Sequence, residues 1–133
     1  MVEVVAAIIF YNDKILCFKR GPHKYSYIGN KYEFPGGKIK ENETETEALQ
    51  REIKEELNYN IKVKEKLMVV NYRYPDFDLK MNCYKCESDN INFTLKEHTD
   101  CKILDKTELK NIEWVPADIE IVDYLIDYLK NWF

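Results

Sequence analysis

Apolar residues fall into two kinds of pattern along the chain, and each pattern predicts an element. Val4 to Phe10 is an unbroken β-branched and apolar run, which suits a strand buried on both faces. Asn12-Asp13 supplies a turn, and Ile15-Leu16-Cys17-Phe18 predicts a second strand that closes a hairpin and ends at Lys19-Arg20. A loop through Gly21-Pro22-His23 to Gly29-Asn30 follows. Further on the period changes: Leu49, Ile53 and Leu57 recur every four residues behind Thr44 or Thr46, the pattern of a capped amphipathic helix. Ile61, Val63, Leu67 and Val69 then alternate with polar residues, predicting a half-buried and bulged strand from Ile61 to Tyr74; Pro75-Asp76 turns it into another, Leu79 to Glu87. Asp89 to Phe93 reads as loop, and Cys101–Leu104 and Ile112–Val115 as short strands around a helical turn at 105–109. Pro116 opens a last helix whose stripe is Ile121, Val122, Leu125, Leu129 and Trp132. No repeat, low-complexity tract or linker interrupts residues 1–133, so one domain is expected.

Composition narrows the function classes. With 45% hydrophobic residues, 133 residues suffice for a real core. A net charge of -4 and a pI near 5.3 argue against a nucleic-acid groove, although a small phosphorylated substrate remains compatible if a metal bridges the two negative partners. No apolar run reaches spanning length and Met1-Val2-Glu3-Val4 lacks a basic start, so no membrane association and a cytoplasmic location are expected.

Folding does not account for the polar edge of the first helix. Glu52, Glu55 and Glu56 fall within an arc of about 100° beside the apolar stripe, where like charges repel. Just before it, Gly36 and Gly37 are adjacent, and a tight turn is expected there, with backbone able to approach a ligand without a Cβ in the way. Charge pattern alone leaves two readings open, a solvated acidic face or an edge neutralised by a divalent cation.

Spacing adds a resemblance. From Gly37, five residues lead to Glu43, seven more to Arg51-Glu52-Ile53, and Glu55-Glu56 follow after one residue. This resembles the Nudix box, Gly-x5-Glu-x7-Arg-Glu-U-x-Glu-Glu-x-Gly-U, with U bulky and apolar. Asn58 replaces the last glycine and Tyr59 takes the final apolar position; asparagine is the next best residue for a left-handed helix end. The stretch Asn30-Lys31-Tyr32-Glu33-Phe34-Pro35-Gly36-Gly37-Lys38-Ile39 and the segment Ile112-Glu113-Trp114-Val115-Pro116-Ala117-Asp118 resemble the MutT and CTP pyrophosphohydrolase branch of that family. The resemblance implies an α+β fold, an α/β/α sandwich with a mixed sheet between helices, the box loop-helix-loop at 37–59 and a C-terminal helix from about 117.

It also implies chemistry: hydrolysis of a (deoxy)nucleoside triphosphate to the monophosphate and pyrophosphate, in the manner of nucleotide-pool sanitising of 8-oxo-dGTP or of modified or cytidine nucleotides. Mg2+ is the implied ion, with Mn2+ the alternative. Its ligands would be Glu52 and Glu56, with Glu55, the Gly36 carbonyl and Glu97. Glu52 is the first choice of general base and Glu56 or a loop carboxylate the second; Arg51 would orient the glutamates by a bidentate contact and Glu43 would brace the loop. Arg20 would meet phosphate oxygens, Gly36 and Lys38 would contact the substrate, and Glu33, Phe34 and Asp118 would form the base pocket. An ionised Asp118 only accepts hydrogen bonds, which suits the exocyclic amine of cytosine or adenine; a protonated one regains a donor and readmits oxidised guanine.

Other readings are weaker. Tyr72, Tyr74, Phe77 or Tyr84 offers a ring for stacking on a base or, more simply, for core packing. His23 is expected to be solvated. Cys83, Cys86, His98 and Cys101 have zinc-like spacing, but residues three apart on a strand point to opposite faces, so reduced, partly buried thiols are expected instead. A P-loop fails because Ile39 follows Lys38 where Ser or Thr is required. A non-catalytic nucleotide sensor would ordinarily have lost a box glutamate, and a hydrolase of another nucleoside diphosphate derivative is the further alternative. The partner is a small nucleotide; Trp132 and Phe133 leave monomer and homodimer both open.

Overall fold

The computed structural model describes residues 1–130, with side chains through residue 127. Its elements are β1 (Val2–Tyr11), β2 (Lys14–Lys19), β3 (Tyr32–Glu33), β4 (Gly36–Lys38), α1 (Glu45–Leu57), β5 (Lys62–Arg73), β6 (Asp78–Glu87), β7 (Asp100–Leu104) and α2 (Pro116–Lys130). This is an α/β/α arrangement, with a mixed sheet between two helical layers. The sheet runs β3-β2-β1-β6-β5; β1 and β6 are parallel from Val2↔Leu79 to Phe10↔Glu87, and the other pairs are antiparallel.

The run in β1 is continuous because both faces are covered. Ala6, Ile8 and Phe10 pack with Cys83, Met81, Ile121, Val122 and Leu125 on the α2 side, whereas Val5, Ala7 and Ile9 pack with Leu49, Ile53 and Leu57 on the α1 side. Asn12 and Asp13 both have positive φ (48° and 66°), the geometry a two-residue hairpin turn requires. Beyond that turn β1 and β2 splay. They pair only at Phe10↔Ile15 and Tyr11↔Lys14; further along, β4 pairs with β1 and β3 with β2. The segment 32–38 is thus wedged into the sheet between them, which sets Gly37 against Glu52 of α1 and puts the Tyr32 and Phe34 side chains in the α2 layer.

Several expectations need correction. Gly36-Gly37 is not a tight turn: it lies in β4, paired through Ala6↔Gly36 and Val5↔Gly37, and no described glycine has positive φ. The bulge expected in β5 is present, as two register shifts between Val63 and Met68; what differs is the phase of the alternation, so that Val69 is exposed and Val70 is fully buried. Ile112–Val115 contributes only an isolated bridge, Tyr32↔Trp114, made by Val115 N–H to the Tyr32 carbonyl and Tyr32 N–H to that of Glu113. The helical turn expected at 105–109 forms as a hydrogen-bonded turn, Glu108 N–H to the Asp105 carbonyl, and extends into a 3-10 turn at Leu109–Asn111. In α2 the stripe Ile121, Val122 and Leu125 is buried as expected; the Leu129 side chain, Trp132 and Phe133 lie outside the described residues.

Candidate active site

The first helix is closed at both ends by its own sequence. Thr44 accepts from Glu47 N–H at 3.1 Å while the Glu47 carboxylate accepts from Thr44 N–H at 2.9 Å, a reciprocal cap. At the other end Asn58 adopts φ 47°, ψ 48° and its N–H returns to the Lys54 carbonyl, so asparagine serves where the box has glycine. Tyr59 is buried against Phe93. The glutamates therefore project from a helix fixed in length and rotation.

Arg51 holds the base of this arrangement. Nε and Nη2 donate to the two oxygens of Glu43 at 2.6 and 2.9 Å, Nη1 to Glu52 at 2.9 Å and Glu55 at 3.2 Å, and Nη2 also to the Lys38 carbonyl at 3.0 Å. Its bidentate partner is thus Glu43, which braces the loop, and the expected fork onto the other glutamates is replaced by single contacts. The guanidinium, joined by Lys40 N–H, holds the Glu43 carboxyl down to about 2.

The glycines are explained by what they face. A Cβ on Gly37 would lie 2.4 Å from the Glu52 carboxylate, and one on Gly36 would lie 1.9 Å from the Val5 carbonyl oxygen. β4 therefore runs in contact with Glu52 on one side and with β1 on the other. Glu56 turns into a cleft of about 340 Å³ lined by Arg20, Gly21, Pro22, Glu33, Gly36, Glu56, Glu97 and His98. Burial, a hydrogen bond with Glu52 and the fields of Glu33, Glu52 and Glu97 push the Glu56 carboxyl up to about 9. Glu55 stands apart: it pairs with Arg51, half exposed, and does not line the cleft.

No three His, Cys, Asp or Glu side chains among the described residues form a closed ligand cage. The residues nevertheless fit a divalent ion. Burial and the Glu33, Glu52 and Glu97 charges raise the Glu56 carboxyl, which marks a place where added positive charge is favoured, and the Gly37 position leaves the Glu52 carboxylate no methyl to avoid. An ion that keeps several waters needs only a few carboxylates, so a closed cage is not required.

A second cavity, of about 420 Å³, adjoins the first and is lined mainly by apolar groups, among them Val4, Ala6, Ile28, Phe34, Leu79 and Met81. Phe34 is stacked on Trp114 at 4.7 Å and its N–H donates to Asp118 Oδ2 at 2.8 Å. Asp118, the third residue of α2, is buried, and burial first, then the Glu33 charge, push its carboxyl well above the usual range. Tyr74 lines this cavity and accepts from Ala117 N–H at 2.9 Å, which fixes the start of α2. Tyr27 stacks on Tyr74 at 5.0 Å and Tyr25 on Tyr27 at 5.3 Å, and with Phe77 these rings form an aromatic lip. Tyr84 lies on the opposite face and donates to Glu45; Tyr72 packs against Tyr74.

Of the residues expected at the site, Arg20, Glu33 and Gly36 line both cavities, Glu56 and Glu97 the cleft, and Phe34, Lys38 and Asp118 the apolar slot. His23 departs from expectation: it is half buried, lines the slot and accepts Tyr25 N–H at Nδ1, 3.0 Å. His98 was expected only as a zinc candidate, yet its Nε2 lies 2.9 Å from Glu33 Oε2. Its one sequence signal was a place beside Glu97 and ahead of a predicted strand. Cys83 and Cys86 are both fully buried, more than expected, and in opposite layers, so among the described residues they do not face one zinc position.

Comparison with known proteins identifies relatives of the fold. A family profile described as NUDIX domain matches residues 1–125. The chain is 45% identical over 65 residues to the CTP pyrophosphohydrolase of Escherichia coli (strain K12), covering 49% of this chain and 47% of that one. It is 42% identical over 59 residues to the 8-oxo-dGTP diphosphatase of Buchnera aphidicola (Schizaphis graminum strain), covering 44% of each. The chain thus spans about half the length of the curated relatives it matches. Among solved structures, the MutT protein of methicillin-resistant Staphylococcus aureus 252, described as a DNA mismatch repair protein and Nudix hydrolase, superposes with a TM-score of 0.74 at 36% identity over 96% of both chains.

Proposed function

The chain belongs to the NUDIX domain family of hydrolases, and on that premise we propose that it hydrolyses a (deoxy)nucleoside triphosphate to the monophosphate and pyrophosphate, as a single domain using Mg2+ or Mn2+. One observation carries the reading. An apolar slot that ends in a buried carboxyl opens, across a wall made by Arg20, Glu33 and Gly36, into a cleft of carboxylates. A flat base fits the slot and the phosphates then extend into the cleft.

Glu52, Glu56, Glu97 and the Gly36 carbonyl would hold the ion, with Glu55 in reserve at the solvent edge. When bound, the ion offsets phosphate charge and lowers the pKa of the attacking water. The chain's own residues do the rest. Glu52 takes the proton of that water, Arg51 fixes Glu52 against Glu43, and Arg20 meets the phosphate as it leaves the slot. Phe34, held on Trp114, presents its ring to the base. Asp118 accepts Phe34 N–H at Oδ2, which leaves Oδ1 to carry the proton that burial favours. A carboxylic acid both donates and accepts, and that supports an oxidised guanine, hence sanitising of the nucleotide pool, over a plain cytosine.

The test is a panel of 8-oxo-dGTP, dGTP, CTP and dCTP with Mg2+, followed by Glu56→Gln. Turnover of 8-oxo-dGTP first, with pyrophosphate released and a loss of about 10²-fold or more in the variant, is the expected result. Failure to turn over any triphosphate, or full rate in the variant, refutes it.

A further inference from the structure

We propose that His98 is a positioning residue that holds Glu33, and through Glu33 the guanidinium of Arg20, on the wall between the base slot and the carboxylate cleft. The proposal rests on the reading that a nucleotide spans both cavities.

Among the described residues only Arg20, Glu33 and Gly36 line both spaces, so whatever links base to phosphate passes them. Both oxygens of Glu33 are engaged: Oε1 accepts from Arg20 Nη1 at 3.1 Å and Oε2 lies 2.9 Å from His98 Nε2. Facing a carboxylate, Nε2 must carry the proton and donate. The three side chains form a graded series from interior to surface, 4% exposed at His98, 16% at Glu33 and 37% at Arg20. The inner member is therefore fixed by packing and the outer one reaches the solvent side, where Arg20 Nε and Nη2 lie outside the pair with Glu33.

The backbone supports the same order. Glu33 in β3 is directly opposite Phe18 in β2, and Arg20 follows the end of β2. Thr99 N–H donates to the Lys19 carbonyl at 2.8 Å, and Asp100 pairs with Lys19. His98 thus sits one step before the β2–β7 ladder, with its ring 5.4 Å from that of Phe18. All three residues hang from adjoining strand ends, which is what precise placement needs.

His98 is a poor choice if its purpose is only to fill space. Nδ1 is buried with no partner, and an unmatched buried acceptor is destabilising. An apolar ring would avoid that penalty but could not donate to Glu33. The feature that distinguishes histidine here is the Nε2–H on the carboxylate. Without it Glu33 is free to rotate, and Arg20 loses the fixed partner that aims it at the ligand.

The simplest rival is that His98 merely anchors the loop carrying Glu97. The experiment measures KM and kcat for 8-oxo-dGTP with Mg2+, and binding of α,β-methylene-dGTP in EDTA, for His98→Phe, His98→Gln and His98→Asn. Gln can place an N–H near the Nε2 position and Asn is too short. His98→Phe and His98→Asn should raise KM and weaken metal-free binding about tenfold, with kcat within about threefold, and His98→Gln should recover most of it. In the His98→Phe background, Arg20→Ala should add less than about threefold, since the guanidinium is already misaimed. A fall in kcat at unchanged KM overturns the proposal, as does equal behaviour of Gln and Asn or a full additional effect of Arg20→Ala. If His98→Phe does not fold, the Gln and Asn pair decides alone. A wild-type protein without triphosphate turnover refutes the functional reading instead, a result visible before any variant is made.

Discussion

Gly37→Ala places a methyl group where the Glu52 carboxylate now lies. The added Cβ would be 2.4 Å from Glu52 Cδ and Oε2 and 2.7 Å from Oε1. Non-bonded carbons rest about 3.5–4 Å apart, so the carboxylate must retreat by roughly 1 Å or more. It can do so, because it is the end of a flexible side chain, and β4 itself need not move. Stability then changes little: alanine restricts the unfolded chain by about 0.4–1 kcal/mol, against a weakened Arg51–Glu52 contact of about the same size. Activity responds differently, since a misplacement of about 1 Å in a reacting group is worth on the order of 10²-fold in rate. Gly36→Ala is the control. Its Cβ would strike the Val5 carbonyl oxygen and carbon, which are backbone of β1 and cannot swing aside, so the β1–β4 pairing breaks and folding suffers first. Thermal unfolding without metal and kcat with Mg2+ titrated, measured on both variants, separate the two effects. Should Gly37→Ala unfold as readily as Gly36→Ala, or retain the wild-type rate, the close approach of β4 to Glu52 is not what the glycine is for.

Three further outcomes follow from the packing. The folded-state value of Asp118 is raised, so its contribution to stability is fully present below the ordinary carboxyl range and is lost as pH rises through the raised value. Asp118→Asn should remove that slope, giving a stability advantage over wild type that grows from pH 5 to pH 9, together with a changed base preference; parallel pH profiles in chemical denaturation would count against it. Arg51→Lys cannot reproduce the fork onto Glu43 or the reach to Glu52, Glu55 and the Lys38 carbonyl, and should lose about 1–3 kcal/mol in urea unfolding as well as rate. Burial pushes the Cys86 and Cys101 thiols up to about 12 and those of Cys17 and Cys83 higher still, so the four should react slowly with a thiol reagent at pH 8 and fully in denaturant, and the purified protein should carry no stoichiometric zinc.

Local rules were legible and long-range ones were not. Thr44, Glu47, the stripe Leu49-Ile53-Leu57 and Asn58 each state their part in α1 within a few residues, and the structure has the helix as written. Gly36 and Gly37 suggested a turn because the usual cause of paired glycines is dihedral freedom; their actual cause, a strand squeezed between Glu52 and Val5, depends on partners far along the chain. In β5 the pattern suggested a bulge but not its phase, since Val69 and Val70 look alike and only pairing with β6 decides which is buried. Glu55 matched the box by spacing, but Arg51 one turn earlier draws it outward. His98 had no readable role, because its partner Glu33 meets it only when β2, β3 and β7 lie side by side.

The parallel pairing of β1 with β6 also orders events in time. β1 is synthesised well before β6, and until then its only sheet partners are the short contact with β2 and, once made, the three residues of β4. Val5 to Phe10, all buried in the finished protein, stand open to other chains in the interval. Closing so long a loop is entropically slow, which places folding toward the millisecond-to-second end expected of non-local sheets and makes a half-made chain a natural client for a chaperone. The carboxylate cleft cannot be completed ahead of β6, because Glu97 and His98, which line it, follow β6 in the chain. A nascent or partly unfolded chain therefore has no residual hydrolytic centre, and activity should return in refolding only together with the last cooperative phase.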